Sequence, residues 1–485
     1  MRVALADLIV AVPLLGALLV ALLPLALRPR ARAVALAFAA LTGALAIGGA
    51  LVAPAGEGAL FAFDPLARAM VALSVAVFGL AFAAADTIDR RPHAFHAWML
   101  ALWSATLGVF LARGLGVFYI CWEATLVPAF FLLGMWGGAG RARAATVLLV
   151  FTLVGSAFLL VAVLALPSLI GGGELSWAAF AAAGPKLDPT TQTLLLAALL
   201  VGIGVKLPIF PLHPWLPLAH VEAATPLTIV LSGILTKMAA AVLLRLAVAL
   251  PEGFANLSPL LAALGTVALV HGAVLAARRT DLKAALAWST LAHMGIVVVG
   301  VATRTAAGLE GATLELFAHG LTAAAAFYVV GRIYSRTGTR DVRALGGLLA
   351  ARPGWALALA AALVSTMAFP GTAGFAAEAQ IVVGVWQRFG LAVVAVAGGA
   401  LLWSAVVVRL LVRLLGGPPG ERVERLGRPV PLDRLALAVV LGATALIGLR
   451  PELALAPLRA PATAAAPAAA PTTIAEASAP GEPGE

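Results

Sequence analysis

Apolar runs of about 20 residues, each long enough to cross a bilayer as a helix, follow one another almost without pause along this chain. They fall at about 5–27, 33–52, 66–85, 96–112, 115–134, 144–166, 191–210, 226–250, 258–277, 284–302, 309–331, 355–388, 391–415 and 434–456, fourteen in all. Backbone groups in hydrocarbon must be paired within the protein, which leaves helices for runs of this length. With 62% hydrophobic and only 11% charged residues, the 485-residue chain is excluded from the soluble class. The expectation is an all-α polytopic membrane protein of about 14 transmembrane helices. The seventh run leads into KLPIFPLHPWLPLAH and the twelfth is too long for one straight span, so both are expected to be broken helices.

Basic residues fall on alternate loops. Arg28, Arg30 and Arg32 follow the first run, Arg90 and Arg91 the third, and Arg141 and Arg143 the fifth. Arg278, Arg279 and Lys283, then Arg332, Arg336, Arg340, Arg343 and Arg352, then Arg422, Arg425, Arg428 and Arg434 continue the set. The positive-inside tendency places these loops in the cytoplasm and both termini on the periplasmic or extracellular side of a bacterial inner membrane. The net charge of +10 is therefore a topology signal and not the footprint of a nucleic acid. The first run is not read as a signal peptide, because its Arg cluster follows it. From about Pro461 the chain is Ala, Pro, Thr and Glu without apolar periodicity, and a disordered tail is expected. Cys121, the only cysteine, lies inside an apolar run, which excludes a disulfide, a cysteine metal site and an iron–sulfur cluster in this chain. Neither a GxGxxG after a strand nor a CxxC offers a redox cofactor a place.

An ionisable side chain in mid-span costs about 2.5–3.5 kcal/mol on insertion scales, so each one calls for a partner, water or a task. Glu123 sits in GVFYICWEATLVPAFFLLGM, Lys206 just before the first break, and Lys237 in IVLSGILTKMAAAVLLRL. His293 is central in its span, Glu315 and His319 lie four apart on one helix face, and Glu378 follows the second break in FPGTAGFAAE. The chain uses Arg 28 times and Lys four times, at 186, 206, 237 and 283, so a lysine in mid-membrane stands where arginine does not serve. Arginine keeps its proton in a protein, whereas a buried lysine can give one up and act as a carrier. A lysine snorkelling from a helix end is the plainer alternative.

Prolines mark the same places. Pro128 removes the hydrogen bond to the carbonyl of Ala124, Pro208 frees that of Gly204, and Pro370 that of Thr366. Freed carbonyls need a polar neighbour or water, so the breaks are expected to line a hydrated path. They lie five spans apart, which suggests a duplicated five-helix unit in inverted orientation. The expected units are three N-terminal helices in 1–95, a first repeat in 96–257, a second in 258–415, a cytoplasmic loop and last helix in 416–456, and the tail in 457–485. His213, His220 and Glu222 lack metal-site spacing, and a proton entry or a structural hydrogen bond is the better reading. His271 reads as a satisfied interhelical histidine, and Arg245 as a side chain reaching for the outer interface.

Five blocks in order, FYICWEATLVPAFFLLGMWGG, KLPIFPLHPWLPLAHVEAATP, DLKAALAWSTLAHMGIVVVG, FAHGLTAAAAFYVVGRIYSRTGTRDVRALGGL and FPGTAGFAAE, resemble the subunit M family of NADH:quinone oxidoreductase, respiratory complex I. The resemblance covers about residues 60 to 455. HVEAAT after WLP, and a Glu at the second broken helix, favour M over its relatives L and N. The resemblance implies an antiporter-like, proton-translocating subunit in which Glu123 pairs with Lys206, Lys237 is the central bridging lysine, His293 and His319 lie along the axis, and Glu378 is the terminal acid. It also implies that NADH, FMN, iron–sulfur clusters and quinone belong to partner subunits, and that chains L and N are neighbours in the membrane. Four positions depart from the pattern: Leu218 stands where an Asp is expected, Val147 where a Lys is common, His271 where a Tyr is usual, and Glu315 where an amide is more usual.

The implied function is proton transfer along buried Glu, Lys and His residues, driven by electron transfer in partner subunits. A subunit of a cation/proton antiporter or of a hydrogenase-like complex is the alternative, and a structural spacer of the membrane arm a third.

Overall fold

The computed structural model describes residues 4–52, 58–172 and 175–459. Among the described residues, twelve helical stretches are long and apolar enough to cross a membrane, and two shorter apolar helices, Leu5–Ala21 and Pro353–Thr366, accompany them. Helices Ala373–Phe389 and Val393–Leu415 are separated at Gly390, whose φ of +57° and ψ of −124° are not helical, and a short 3-10 turn at Gly390–Ala392 leads into the second. The last apolar run divides at Arg450 into Pro431–Leu449 and Glu452–Arg459, because Pro451 cannot continue the first helix. The Ala/Pro tail from Pro461 lies outside the described residues, and helix Glu452–Arg459 runs past the boundary drawn at 457.

Local chemistry sets the helix starts. Asp64, Asp188 and Asp281 accept from the backbone N–H of Ala67 (2.6 Å), Thr191 (2.9 Å) and Ala284 (3.0 Å), and Pro65 and Pro189 occupy the first helical position, where no N–H is needed. Thr305 caps the 32-residue helix Ala306–Thr337, which ends at Gly338 with φ +68°. At roughly 48 Å this helix exceeds the hydrocarbon thickness of about 30 Å.

That long helix lies at the centre: its apolar window is 100% buried, against 94% for Thr225–Ala249, 89% for Leu282–Thr303 and 22% for the peripheral Pro431–Leu449. Outer helices instead turn Leu164, Leu401 and Val412 outward. Between helices in lipid the hydrophobic effect is weak, so close packing decides which helices meet. Glycines supply it at two places that matter below. A methyl group at Gly320 would lie 3.0 Å from the carbonyl oxygen of Gly233, and one at Gly311 2.7 Å from that of Ala377.

An ion cluster anchors one end of the central helix. Arg332 reaches Asp86 at 2.5 Å and Asp433 at 2.9 Å, Tyr328 donates to Asp433 at 2.8 Å, and Arg336 meets the second Asp433 oxygen at 3.2 Å. Asp433 is 0% exposed, so the last long helix is bound to the central one by a carboxylate with several donors. Nothing in the apolar pattern singled this residue out.

Candidate functional site

Both expected breaks are present. The first separates Pro189–Lys206 from Trp215–Glu222 and the second Pro353–Thr366 from Ala373–Phe389. Their freed carbonyls are taken up by protein groups. Ile209 N–H donates to Gly204 at 2.8 Å, and the Trp215 indole to Val205 at 2.7 Å. At the second break, the Trp403 indole donates to the Thr366 carbonyl at 2.8 Å, and His293 Nε2 lies 2.9 Å from the same oxygen.

Lys206, half-buried at the end of its helix, donates to the Trp122 carbonyl at 2.8 Å and the Thr125 hydroxyl at 3.0 Å, with its ammonium 4.0 Å from the Trp122 ring centroid. These residues flank Glu123, where the expected single helix is divided by a turn at Thr125 into Leu115–Ala124 and Leu126–Trp136. Among the described residues no direct ion pair joins Glu123 to Lys206, and Glu123 Oε1 is buried without a hydrogen-bond partner. The expected contact is therefore made by Glu123's neighbours. A main-chain oxygen and a hydroxyl reach the ammonium first, because the turn points both of them at it.

Lys237 is 0% exposed. Its helix opens with a π segment, Leu231–Leu235, whose wider turn presents the Ser232 carbonyl to the lysine five residues on. The ammonium donates to that carbonyl at 2.5 Å and to the Thr236 hydroxyl at 3.3 Å, and lies 2.5 Å from His319 Nδ1. The close approach of Gly233 to Gly320 brings the lysine and histidine helices together at this level.

The His319 and His293 rings follow with centroids 4.8 Å apart, so the order is Lys237, His319, His293, the reverse of the order of the two histidines in the chain. His293 has carbonyl oxygens on both nitrogens, Ser289 at 2.7 Å from Nδ1 and Thr366 at 2.9 Å from Nε2. A neutral imidazole donates one hydrogen bond, and the doubly protonated ring donates to both oxygens. Glu315 and Glu378 stand beside it, the three residues presenting atoms within 4.8 Å of one another.

The arrangement brings the buried Lys237, His319 and His293 and the half-buried Glu378 into one row, with Lys206 placed against the Glu123 turn. Glu315, four residues before His319, belongs to the same row although the pattern of motifs had set it aside as a departure. Lys283, counted from sequence among the loop cations, is instead buried and donates to the Ala223 carbonyl at 2.5 Å. It borders a cavity of about 910 Å³ lined by Asp86, Glu222, Arg332 and Arg340 at the basic end of the bundle. Glu222 accepts from Gly140 N–H at 2.8 Å, a structural hydrogen bond. His220 packs against Phe327 at 5.8 Å, and His213 stacks on Phe210 at 5.5 Å beside His271. Arg245 reaches the helix ends opposite the basic loops, where it meets the half-exposed Asp64 at 2.6 Å and donates to the Phe110 carbonyl at 3.2 Å.

Residues 112–402 match the family model described as NADH:quinone oxidoreductase/Mrp antiporter, TM. The chain is 36% identical over 404 residues to NAD(P)H-quinone oxidoreductase chain 4 of Thermosynechococcus vestitus, an alignment that covers 81% of this chain and 75% of that one. It is 40% identical over 324 residues to the chain 4 of Microcystis aeruginosa, covering 66% of this chain and 58% of the relative. Among solved structures, a chain of respiratory complex I from Thermus thermophilus with bound NADH superposes with a TM-score of 0.85 at 27% identity, over 93% of this chain and 97% of that one.

Proposed function

This chain belongs to the NADH:quinone oxidoreductase/Mrp antiporter transmembrane family, and from that premise we propose that it is the subunit M-type proton translocator of a respiratory NADH:quinone oxidoreductase. It carries no electrons itself. Flavin, iron–sulfur clusters and the quinone site are supplied by partner subunits, with the related chains L and N beside it in the bacterial inner membrane and both termini on the periplasmic side. The two broken helices support a pair of inverted repeats, 96–257 and 258–415, about the proton path.

The steps follow from the row of side chains. A proton rests on Lys206, held by the Trp122 carbonyl and the Thr125 hydroxyl, while the negative charge of Glu123 is near. When the Glu123 turn withdraws, a bare ammonium in a low-dielectric site is disfavoured and its proton passes inward, across bound water, to Lys237. Lys237 hands a proton to His319 Nδ1 and the imidazole releases one from its far side. His293 takes it as a doubly protonated ring between two carbonyls, and Glu378 receives it before release.

The observation that carries this reading is the 2.5 Å approach of the fully buried Lys237 ammonium to His319 Nδ1, a donor and an acceptor within direct proton-transfer distance deep in the bundle. The test uses inverted membrane vesicles holding the assembled complex. Lys237→Ala and Glu123→Gln should each cut NADH-driven acidification by about tenfold or more, while NADH oxidation by an artificial electron acceptor continues. Unchanged acidification in both variants would overturn the relay.

The second reading, a cation/proton antiporter subunit, draws on the same family description, which spans both kinds of complex. Purification separates them. Co-isolation with quinone-reducing subunits supports the oxidoreductase, and sodium-for-proton exchange by an isolated complex without NADH oxidation supports the antiporter.

A further inference from the structure

Glu315 lies outside the steps just described, yet it is among the most deeply placed acids in the molecule. It is 1% exposed, and its Oε2 has no hydrogen-bond partner. Glu378 and His293 come from two other helices, and the three residues offer atoms within 4.8 Å of one another. Gly311, one turn before Glu315, sets that spacing, since its lack of a side chain lets the two helices close up at Ala377, next to Glu378.

Two carboxylates this close, Glu315 buried and Glu378 half-buried, repel each other, and one proton held between them relieves that cost. A metal cation would do so too, but it needs a lone pair from the imidazole. Both nitrogens of His293 face carbonyl oxygens, at 2.7 and 2.9 Å, so the ring meets its surroundings best as a donor, and turning its lone pair to a metal would give up one of these contacts. The other ionisable groups facing the pair are Lys237 and His319, with His293 alongside, and each of them is a proton donor when charged. A carboxyl pair at this point can take a proton from His293 and hold it until release.

We propose that Glu315 is a proton-carrying residue that shares one proton with Glu378, so that the relay ends in a carboxyl pair and not in a single acid. This rests on the relay reading above. In transfer, the N–H bond on His293 breaks and an O–H bond forms on one carboxylate, whose partner accepts a hydrogen bond from it.

The assembled complex carrying E315Q, E378Q or E315D is the material for the test, read out by NADH-driven acidification in vesicles and by infrared difference spectroscopy of protonated carboxyl groups in H₂O and D₂O. The expected result is a carboxyl band in the parent complex that is lost or displaced in both E315Q and E378Q. E315Q should also slow acidification about tenfold, with partial recovery in E315D. If E378Q removes the band and the acidification while E315Q leaves both as in the parent, the shared proton is refuted and the relay stands with one terminal acid. Should both glutamine variants acidify at the parent rate, the relay itself fails and the pair with it. If E315Q does not assemble, E315D decides: a displaced band supports the pair, and an unmoved one overturns it.

Discussion

The Lys237 ammonium lies 2.5 Å from Nδ1 of His319, across two helices that meet because Gly233 and Gly320 have no side chains. Lysine at this point is both a charge and a removable proton. Arginine keeps the charge, adds a planar fork the closed pocket has no room for, and does not let its proton go. Lys237→Arg should therefore pump no better than Lys237→Ala, which acidification by vesicles of the two variants measures directly.

Thr125 holds Lys206 through its hydroxyl at 3.0 Å, and valine has nearly the same shape without that group. Thr125→Val should leave assembly intact and lower the proton-pumping rate several-fold, because the ammonium then keeps only the carbonyl and ring of Trp122. The initial rate of NADH-driven acidification in vesicles checks it. An unchanged rate would remove Thr125 from the mechanism.

Gly311→Ala would place a methyl group 2.7 Å from the Ala377 carbonyl oxygen, and a backbone atom cannot step aside as a side-chain end can. Overpacking of this kind costs about 1–3 kcal/mol, and the helix that carries Glu378 must also move away from Glu315. Lower thermal stability in detergent and slower pumping should appear together. Gly442, which has open space around it, serves as the control and should tolerate alanine.

Asp433 takes donors from Tyr328, Arg332 and Arg336 while fully buried. Asp433→Ala leaves those donors without their acceptor and should destabilise the subunit by about 3–5 kcal/mol, visible as loss of the assembled complex. Tyr328→Phe removes one hydrogen bond and should cost about 1 kcal/mol, leaving assembly near normal.

The sequence makes some of these residues conspicuous and hides others for physical reasons. Lys206, Lys237, His293, His319 and Glu378 stand out because each is an ionisable group in an apolar run, and Pro208 and Pro370 announce the two breaks. The partners of Lys206 were out of reach, since a main-chain oxygen such as that of Trp122 has no residue type to betray it. The π segment at Leu231–Leu235 shares the apolar composition of an ordinary helix and is silent for the same reason. Glu315 was visible as a buried acid, but its nearness to Glu378 depends on how closely two helices distant in sequence approach, and that is decided at Gly311. Asp433 is hidden in the sequence because an aspartate in the first turn of a helix, before an arginine, reads as solvated until Arg332 and Tyr328 are brought against it.

The central helix Ala306–Thr337 is wrapped by protein along its whole apolar length. Such a sheath keeps counter-ions and bulk water away, so an electric field set up at one station spreads to the next with little attenuation. Two unit charges 10 Å apart at an effective dielectric constant of 20 interact by roughly 1.7 kcal/mol, which biases occupancy by more than about tenfold. Filling or emptying a single position therefore resets the odds at its neighbours without any large mechanical displacement, and a comparable influence can cross laterally into whatever subunit abuts the row.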